Sequence, residues 1–450
     1  MLPSFCQDDS FVWKKYRTPE NAGWSSSKLE NAKKYTSQLE SATVMVVVEG
    51  NVLLSWGNIE KKYKCHSIRK AFISAMYGPY VSAGVINLQK TLAEIGIDDI
   101  QPLTESEKKA KIVDLLMSRS GVYLPSAGEV WGMISRKPRR GSHPPGEFWY
   151  YNNWDFNALS TIFERETGRN LLEEIYGKIA RPIGMEDLEA GDMVPSVEKE
   201  KSIHPNQRIR ISTRDLARFG LLYEQEGMWN QKRILPSDWI RKSTSTLLKT
   251  GWGGYGYIWK TLPKEESLKY GFVNLGKFDA YYISGVSIHV LAVVPELNLV
   301  FVHRVDTDRG IPNYTHLPVF KLLDLIIAAR TAEPDAHVSL VNLASESLPP
   351  FRRRESQKPV RLPEAIATKI SGAYDWNGEL VTVEASRGHL HFYEGQDKMF
   401  MSELWPISKH RFFFTNSDHR LMEFIFGKDG DVISAHIIEE GVCLNLPRLK

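Results

Sequence analysis

β-forming sequence stands near both ends of the larger part of this chain, with helical sequence between, and that order most restricts the folds open to it. Residues Ala42 to Val48 and Val52 to Trp56 are β-branched and apolar runs joined by Glu49-Gly50-Asn51, with glycine where positive φ is needed. A polar helix is expected just before them, from Ser27 to Ser41. From Ser67 to about Trp252 the pattern is largely helical. Ile68, Ala71, Phe72, Ala75 and Met76 keep the helical period, as do Ile112, Leu115 and Leu116 before the break at Ser120-Gly121. Ser212-Thr213-Arg214-Asp215 reads as a capping box ahead of Leu216, Phe219, Leu221 and Leu222. β-forming runs return at Val286 to Val294 and Leu299 to Val302, and Pro318 to Arg330 reads as a closing helix. This order predicts an α+β domain over 1–331, a discontinuous antiparallel sheet flanked by helices, with a helical subdomain over about 68–250.

The remaining sequence changes character twice. Residues 332–362 carry Pro334, Pro349, Pro350, Pro359 and the run Arg352-Arg353-Arg354, which is linker chemistry. Over 363–450 short alternating runs recur, among them Leu380 to Val383, His389 to Phe392, Arg411 to Phe414 and Leu421 to Phe426, the pattern of a separate all-β domain, a small barrel or sandwich. The total of 450 residues fits such a division, since single cores stop growing near ~250–300 residues.

Charge excludes several partners. With 57 basic and 54 acidic residues the net charge is +3, which gives no global field for nucleic acid or an anionic membrane. The short clusters Arg136-Lys137-Pro138-Arg139-Arg140 and Arg352-Arg353-Arg354 read as solvated loops. No stretch reaches the ~18 apolar residues of a membrane span, and no signal peptide is legible in the given chain, so a soluble protein is expected, cytoplasmic or exported with its signal already removed. Cys6, Cys65 and Cys443 are too scattered for a disulfide framework or a cysteine metal site.

Three sequence elements bear on chemistry. A serine followed three residues later by lysine puts both side chains on one helical face, so a lysine of depressed pKa can take the hydroxyl proton. Four such pairs occur: Ser25/Lys28, Ser67/Lys70, Ser106/Lys109 and Ser196/Lys199. Only Ser67 opens a strongly apolar helix, where desolvation and the helix dipole both disfavour the ammonium form of Lys70. The second element runs from Pro144 to Asn157, a Pro- and Gly-rich turn that delivers Tyr150, Tyr151, Asn152 and Asn153 ahead of an apolar helix. The third is Tyr281-Tyr282-Ile283-Ser284-Gly285-Val286, where glycine admits a substrate to a strand backbone whose N–H groups can serve an oxyanion. An α/β-hydrolase elbow is excluded, because Gly285-Val286-Ser287-Ile288-His289 lacks the second glycine. The aromatics Trp149, Tyr150, Trp154, Trp252, Tyr281 and Tyr282 hint at an apolar pocket. His389 and His391 face the same way on a strand, as metal ligands do. With no cysteine or third histidine near them in sequence, they read as an exposed barrel face.

The order Ser-x-x-Lys, Tyr-x-Asn and Gly-containing strand start resembles the serine β-lactamase and penicillin-binding superfamily, and within it the class C-like branch of β-lactamase-related esterases, D-amino-acid peptidases and 6-aminohexanoate-dimer hydrolases. Asp114 to Gly121, Ser212 to Leu222, Gly254 to Trp259 and Val293 to Val300 are also similar to family text. The resemblance implies a β-lactamase/transpeptidase-like fold and a serine hydrolase forming an acyl-enzyme with a small-molecule ester or amide, without cofactor or metal. Ser67 is then the nucleophile, Lys70 its base and Tyr151 the proton shuttle, with Tyr150 as the alternative frame. Asn153 orients Lys70 or the substrate, Ser284 and Gly285 bind substrate, and the N–H groups of Ser67 and Val286 form the oxyanion hole. One departure stands out: where the family has Lys or His for a substrate carboxylate, this chain has Ile283, with Lys277 as the residue that could reach in. The implied preference is for esters or amides without that carboxylate. The alternatives are a penicillin-binding or weakly lactam-hydrolysing protein, or a non-catalytic binding protein. The last ~80 residues, with Ser371-Gly372-Ala373-Tyr374 opening the first strand, resemble a lipocalin-like domain, a candidate site of homo-oligomer contact.

Overall fold

A computed structural model describes residues 11–251, 253–310, 315–334, 339–352, 358–395, 398–417 and 419–449; Cys6, Trp252, Arg353 and Arg354 lie outside them. Its centre is a ten-stranded sheet in the order Leu340–Asn342, Lys14–Tyr16, Asn51–Gly57, Ser41–Val48, Leu299–Val305, His289–Val294, Ala280–Gly285, Lys260–Leu262, Gly253–Tyr255, Leu248–Thr250. Both ends of the α+β region therefore meet in it, and the pairing is antiparallel except between Lys14–Tyr16 and Asn51–Gly57. The central strands are buried at nearly every position because both faces are covered. Val44, Val46 and Val48 pack with the helices Ser26–Tyr35 and Leu317–Ile327, whereas Met45 and Val47 face the helices Arg69–Ser82, Asn153–Thr167 and Thr213–Glu224. Thr213–Glu224 lies directly on the sheet. A Cβ on Gly220 would stand 2.4 Å from Val300 Cγ1 and 2.7 Å from Leu291 Cδ1, so glycine permits the approach.

Local departures from the expected elements have identifiable causes. The first hairpin turns on Glu49 and Gly50 alone, at φ 49° and 73°, the backbone of a type I′ turn. The strand expected from Val286 begins at His289, because Val286, Ser287 and Ile288 form a hairpin turn with Ser287 at φ 63°. Ser212 caps its helix by accepting from Asp215 N at 3.2 Å, but the Asp215 carboxylate does not return the bond. It accepts instead from the N–H groups of Glu186, Asp187 and Leu188 at 2.7, 2.8 and 2.9 Å. Within the largely helical region a small sheet of Tyr63–Lys64, Asn206–Ile211 and Met193–Ser196 also forms.

The C-terminal sequence forms a separate, nearly closed antiparallel barrel of eight strands in chain order, from Gly372–Trp376 to Val442–Pro447. Leu449 N donates to Ala373 O at 2.9 Å, which brings the first and last strands together. Tyr374, Val383, Leu390, Phe392, Leu404 and Phe424 fill the interior. The barrel meets the larger region through Tyr35, whose hydroxyl donates to Glu440 O at 2.6 Å, through Glu439, which accepts from Thr315 N at 2.9 Å, and through an Arg136–Glu394 ion pair at 3.0 Å. Part of the proline-rich stretch before it lies along the sheet edge, where Leu340–Asn342 pairs with Lys14–Tyr16 and Glu346 N donates to Ser55 O at 2.9 Å. Among the described residues no helix is long and apolar enough to cross a membrane.

Arg304 ties the small sheet to the large one. Its fully buried guanidinium donates to His289 Nδ1 at 2.9 Å and to the carbonyls of Ile211, Tyr63 and Lys64 at 3.1, 3.2 and 3.0 Å. The last two carbonyls immediately precede Cys65-His66-Ser67. Arg304→Met leaves these acceptors buried without a donor, and unfolding by denaturant is expected to show a stability loss of about 3 kcal/mol with an unchanged m-value.

Candidate active site

Ser67 lies on a short 3-10 turn, His66–Ile68, that runs into the helix Arg69–Ser82. His66 holds φ at 48°, a conformation costly for a residue with a Cβ, and is fixed by a 2.8 Å hydrogen bond between its Nε2 and Thr307 Oγ1. One helical turn after Ser67, the Lys70 amine is wholly buried. It donates to Asn153 Oδ1 at 2.7 Å and to the Tyr151 hydroxyl at 2.8 Å, and lies 4.1 Å from the ring centres of both Tyr151 and Phe156. Burial, then the cations Arg69 and Lys260, hold its pKa well below that of a free lysine.

Asn153 and Tyr151 are placed by the start of one helix. Asn152 caps Asn153–Thr167 by accepting from Trp154 N at 3.2 Å, which sets Asn153 in its first turn. The Asn153 amide then donates to Gly128 O at 2.8 Å, so its oxygen is turned to Lys70. Burial pushes the Tyr151 pKa up to about 12 against the smaller opposing influence of the neighbouring Ser67 side chain, so the phenol keeps its proton at neutral pH. The two tyrosine frames separate here, because the Tyr150 hydroxyl is spent on Met133 O at 2.7 Å.

Ser67, Tyr151, Asn153, Ser284, Gly285 and Val286 line one cleft of about 780 Å³. Glycine at 285 allows this close approach: a Cβ there would stand 3.1 Å from His66 Cβ and 3.2 Å from the Cys65 carbonyl. The other Ser/Lys pairs lie elsewhere. Ser25 is a helix cap, Ser106 precedes a surface 3-10 turn, and Ser196 ends a strand of the small sheet.

Two sequence expectations are corrected. Among the described residues none of the aromatics Trp149, Tyr150, Trp154, Tyr281 and Tyr282 lines the cleft: Trp154 is buried against Asp99, and Tyr281 and Tyr282 pack on Trp259 and Phe320. Basic side chains line the cleft instead: Lys64, Arg69, Arg208, Arg210 and Lys260, with His66 and His316. The missing cation of the third element is also present from another strand. Ile283 is wholly buried in the core, and Lys277 lies on the surface near Asn274. Lys260, paired with Tyr282 on the adjacent strand, donates its ammonium to Ser284 Oγ at 3.1 Å. Desolvation lowers its pKa to about 8. No spacing in the sequence announces Lys260, because strand pairing alone puts it beside Ser284. Nearby, His316 Nε2 meets Gly285 O at 3.3 Å, and burial keeps that imidazole neutral.

Residues 28–320 match the family described as Beta-lactamase. An uncharacterized protein of Alkalihalophilus pseudofirmus is 24% identical over 324 residues, 64% of this chain and 90% of that protein. Among solved structures, the octameric penicillin-binding protein homologue from Pyrococcus abyssi has a TM-score of 0.51 at 17% identity, covering 93% of this chain and 99% of its own. A class C beta-lactamase has a TM-score of 0.50 at 13% identity, covering 68% of this chain and 97% of its own. At these identities the structural likenesses show the fold.

Gly128 has φ 75°, and a Cβ on it would stand 1.7 Å from Asn206 Nδ2. Gly128→Ala is expected to cost about 1–3 kcal/mol and to displace the carbonyl that orients Asn153. Thermal melting reads the first effect, and slowed covalent labelling of Ser67 reads the second.

Proposed function

Because this chain belongs to the β-lactamase family, we propose that it is a serine hydrolase cleaving ester or amide bonds through an acyl-enzyme on Ser67. The observation that carries the reading is the desolvated Lys70 amine bonded to Asn153 and to the Tyr151 phenol, which lines the same cleft as Ser67. Neutral Lys70 takes the Ser67 proton as Oγ attacks the substrate carbonyl carbon. The N–H groups of Ser67 and Val286 receive the oxyanion. Tyr151 passes the proton to the departing alcohol or amine, and in the second half-reaction the same groups deprotonate the water that releases the acid.

The cleft favours a substrate with a carboxylate or similar anion. Arg69 is buried with one guanidinium nitrogen unpartnered among the described residues, and Lys260 stands half-buried at Ser284. Lys260 also favours a second reading, penicillin binding or weak lactam hydrolysis, since it supplies the cation that Ile283 does not. Intact-protein mass spectrometry separates the two readings. A fluorophosphonate adduct mapped to Ser67, with no stable penicillin adduct, is the esterase or amidase outcome. Stable adducts from both reagents are the penicillin-binding outcome, and full turnover by Ser67→Ala overturns the mechanism. Tyr151→Phe is expected to lose about 10²–10⁴-fold in acylation rate, with Tyr150→Phe close to wild type.

The two lysines set opposite limbs of the pH profile. Lys70 acts when neutral, so kcat/KM rises with pH through its depressed pKa. Lys260 acts when charged, so kcat/KM for an anionic substrate falls above about pH 8. In Lys260→Met the falling limb is expected to vanish. The rising limb should move to higher pH, because a cation that depresses Lys70 is gone.

A further inference from the structure

The outer face of the barrel holds a group of side chains that the hydrolase chemistry does not use. Along the strand His389–Glu394, Leu390 and Phe392 point into the barrel core, which leaves His389 and His391 together on the outside. Chain proximity offers them no third partner, but strand pairing does. His391 lies directly across from Glu403 on the strand Met399–Pro406, and Glu403 Oε1 is 3.7 Å from His389 Nε2. One donor atom from each of the three lies within 4.8 Å of the others. A tetrahedral ion with bonds of ~2.0–2.2 Å holds its ligand atoms ~3.4 Å apart, so small side-chain rotations close the set.

Each of the three side chains is also held by a neighbour. The Trp405 indole N–H donates to Glu403 Oε2 at 2.7 Å, which turns the other carboxylate oxygen toward His389. The His389 ring stacks on that indole at 5.4 Å and 12°. The Tyr393 hydroxyl lies 3.1 Å from His391 Nδ1 and steadies that ring. Outer contacts of this kind orient metal ligands and tune their basicity. His389 and Glu403 side chains remain 18% and 38% exposed, so an ion can enter and keep water at its open position. Two imidazoles and one carboxylate suit zinc and its neighbours among the transition metals over calcium or magnesium.

We propose that His389, His391 and Glu403 form a site for a divalent transition-metal ion, zinc being the natural occupant, which pins two adjacent barrel strands independently of Ser67. Calorimetric titration of Zn²⁺ into the full chain after chelator treatment tests this directly. One ion per chain is expected in wild type and in Ser67→Ala, with a rise in melting temperature on binding. His389→Ala, His391→Ala and the isosteric Glu403→Gln should each weaken binding at least about tenfold. Trp405→Phe should weaken it by about the same factor through the lost carboxylate contact. His410→Ala, at an exposed histidine on a neighbouring turn, should bind as wild type. Circular dichroism of each variant separates loss of the site from loss of the fold. Absence of Zn²⁺ binding by the wild-type chain, or wild-type affinity in folded Glu403→Gln and His391→Ala, overturns the proposal.

Discussion

The arrangement turns on one buried amine. Lys70 has no carboxylate beside it among the described residues, and its company is an amide oxygen, a phenol, two aromatic rings and two other cations. A charged ammonium is disfavoured in such a place, and the same desolvation favours the neutral amine one helical turn from Ser67. Much of the surrounding structure serves to keep it there. The Asn152 cap sets the start of the helix that presents Asn153, and Gly128 turns the Asn153 amide. Arg304 anchors the segment leading into Ser67.

The cleft carries a cation beside the strand that ends at Gly285, though not at position 283. A lysine at 283 would have to leave the strand Ala280–Gly285 on the core side, where Ile283 is fully buried. Lys260 reaches Ser284 from the neighbouring strand without burying an ammonium in that core. Glycine at 285 permits the strand end to close on the His66–Ile68 turn, so Ser67 and the strand lie close together. No described residue of the barrel lines this cleft. The barrel is nevertheless coupled to its rim, because Thr315, held by Glu439, adjoins the histidine that meets the Gly285 carbonyl.

Local chemistry was the most legible. The hairpin through Glu49-Gly50, the cap at Ser212 and the apolar helix behind Ser67 each depend on residues adjacent in the chain, and each formed close to expectation. The strand after Gly285 starts later than its β-branched Val286 and Ile288 suggest, because Ser287 needs a left-handed backbone, a turn signal that propensity alone conceals. Asp215 has the position of a capping-box acid, yet it satisfies three N–H groups of a loop nearly thirty residues away. The aromatics around Tyr150 went to the core because large rings gain most where water is absent, and the cleft was left to basic side chains.

The sequence by itself determined the fold class, the β ends joined around a helical middle, the separate barrel, and the Ser67, Lys70 and Tyr-x-Asn elements, since periodicity, turn chemistry and short spacings are properties of neighbouring residues. Only the tertiary structure put the Tyr151 hydroxyl rather than that of Tyr150 beside Lys70, brought Lys260 to Ser284, and set Glu403 beside His389 and His391. Those three outcomes depend on which backbone lies across from which. Strand register and helix placement are fixed by burial over the whole domain, and no local run of residues records them.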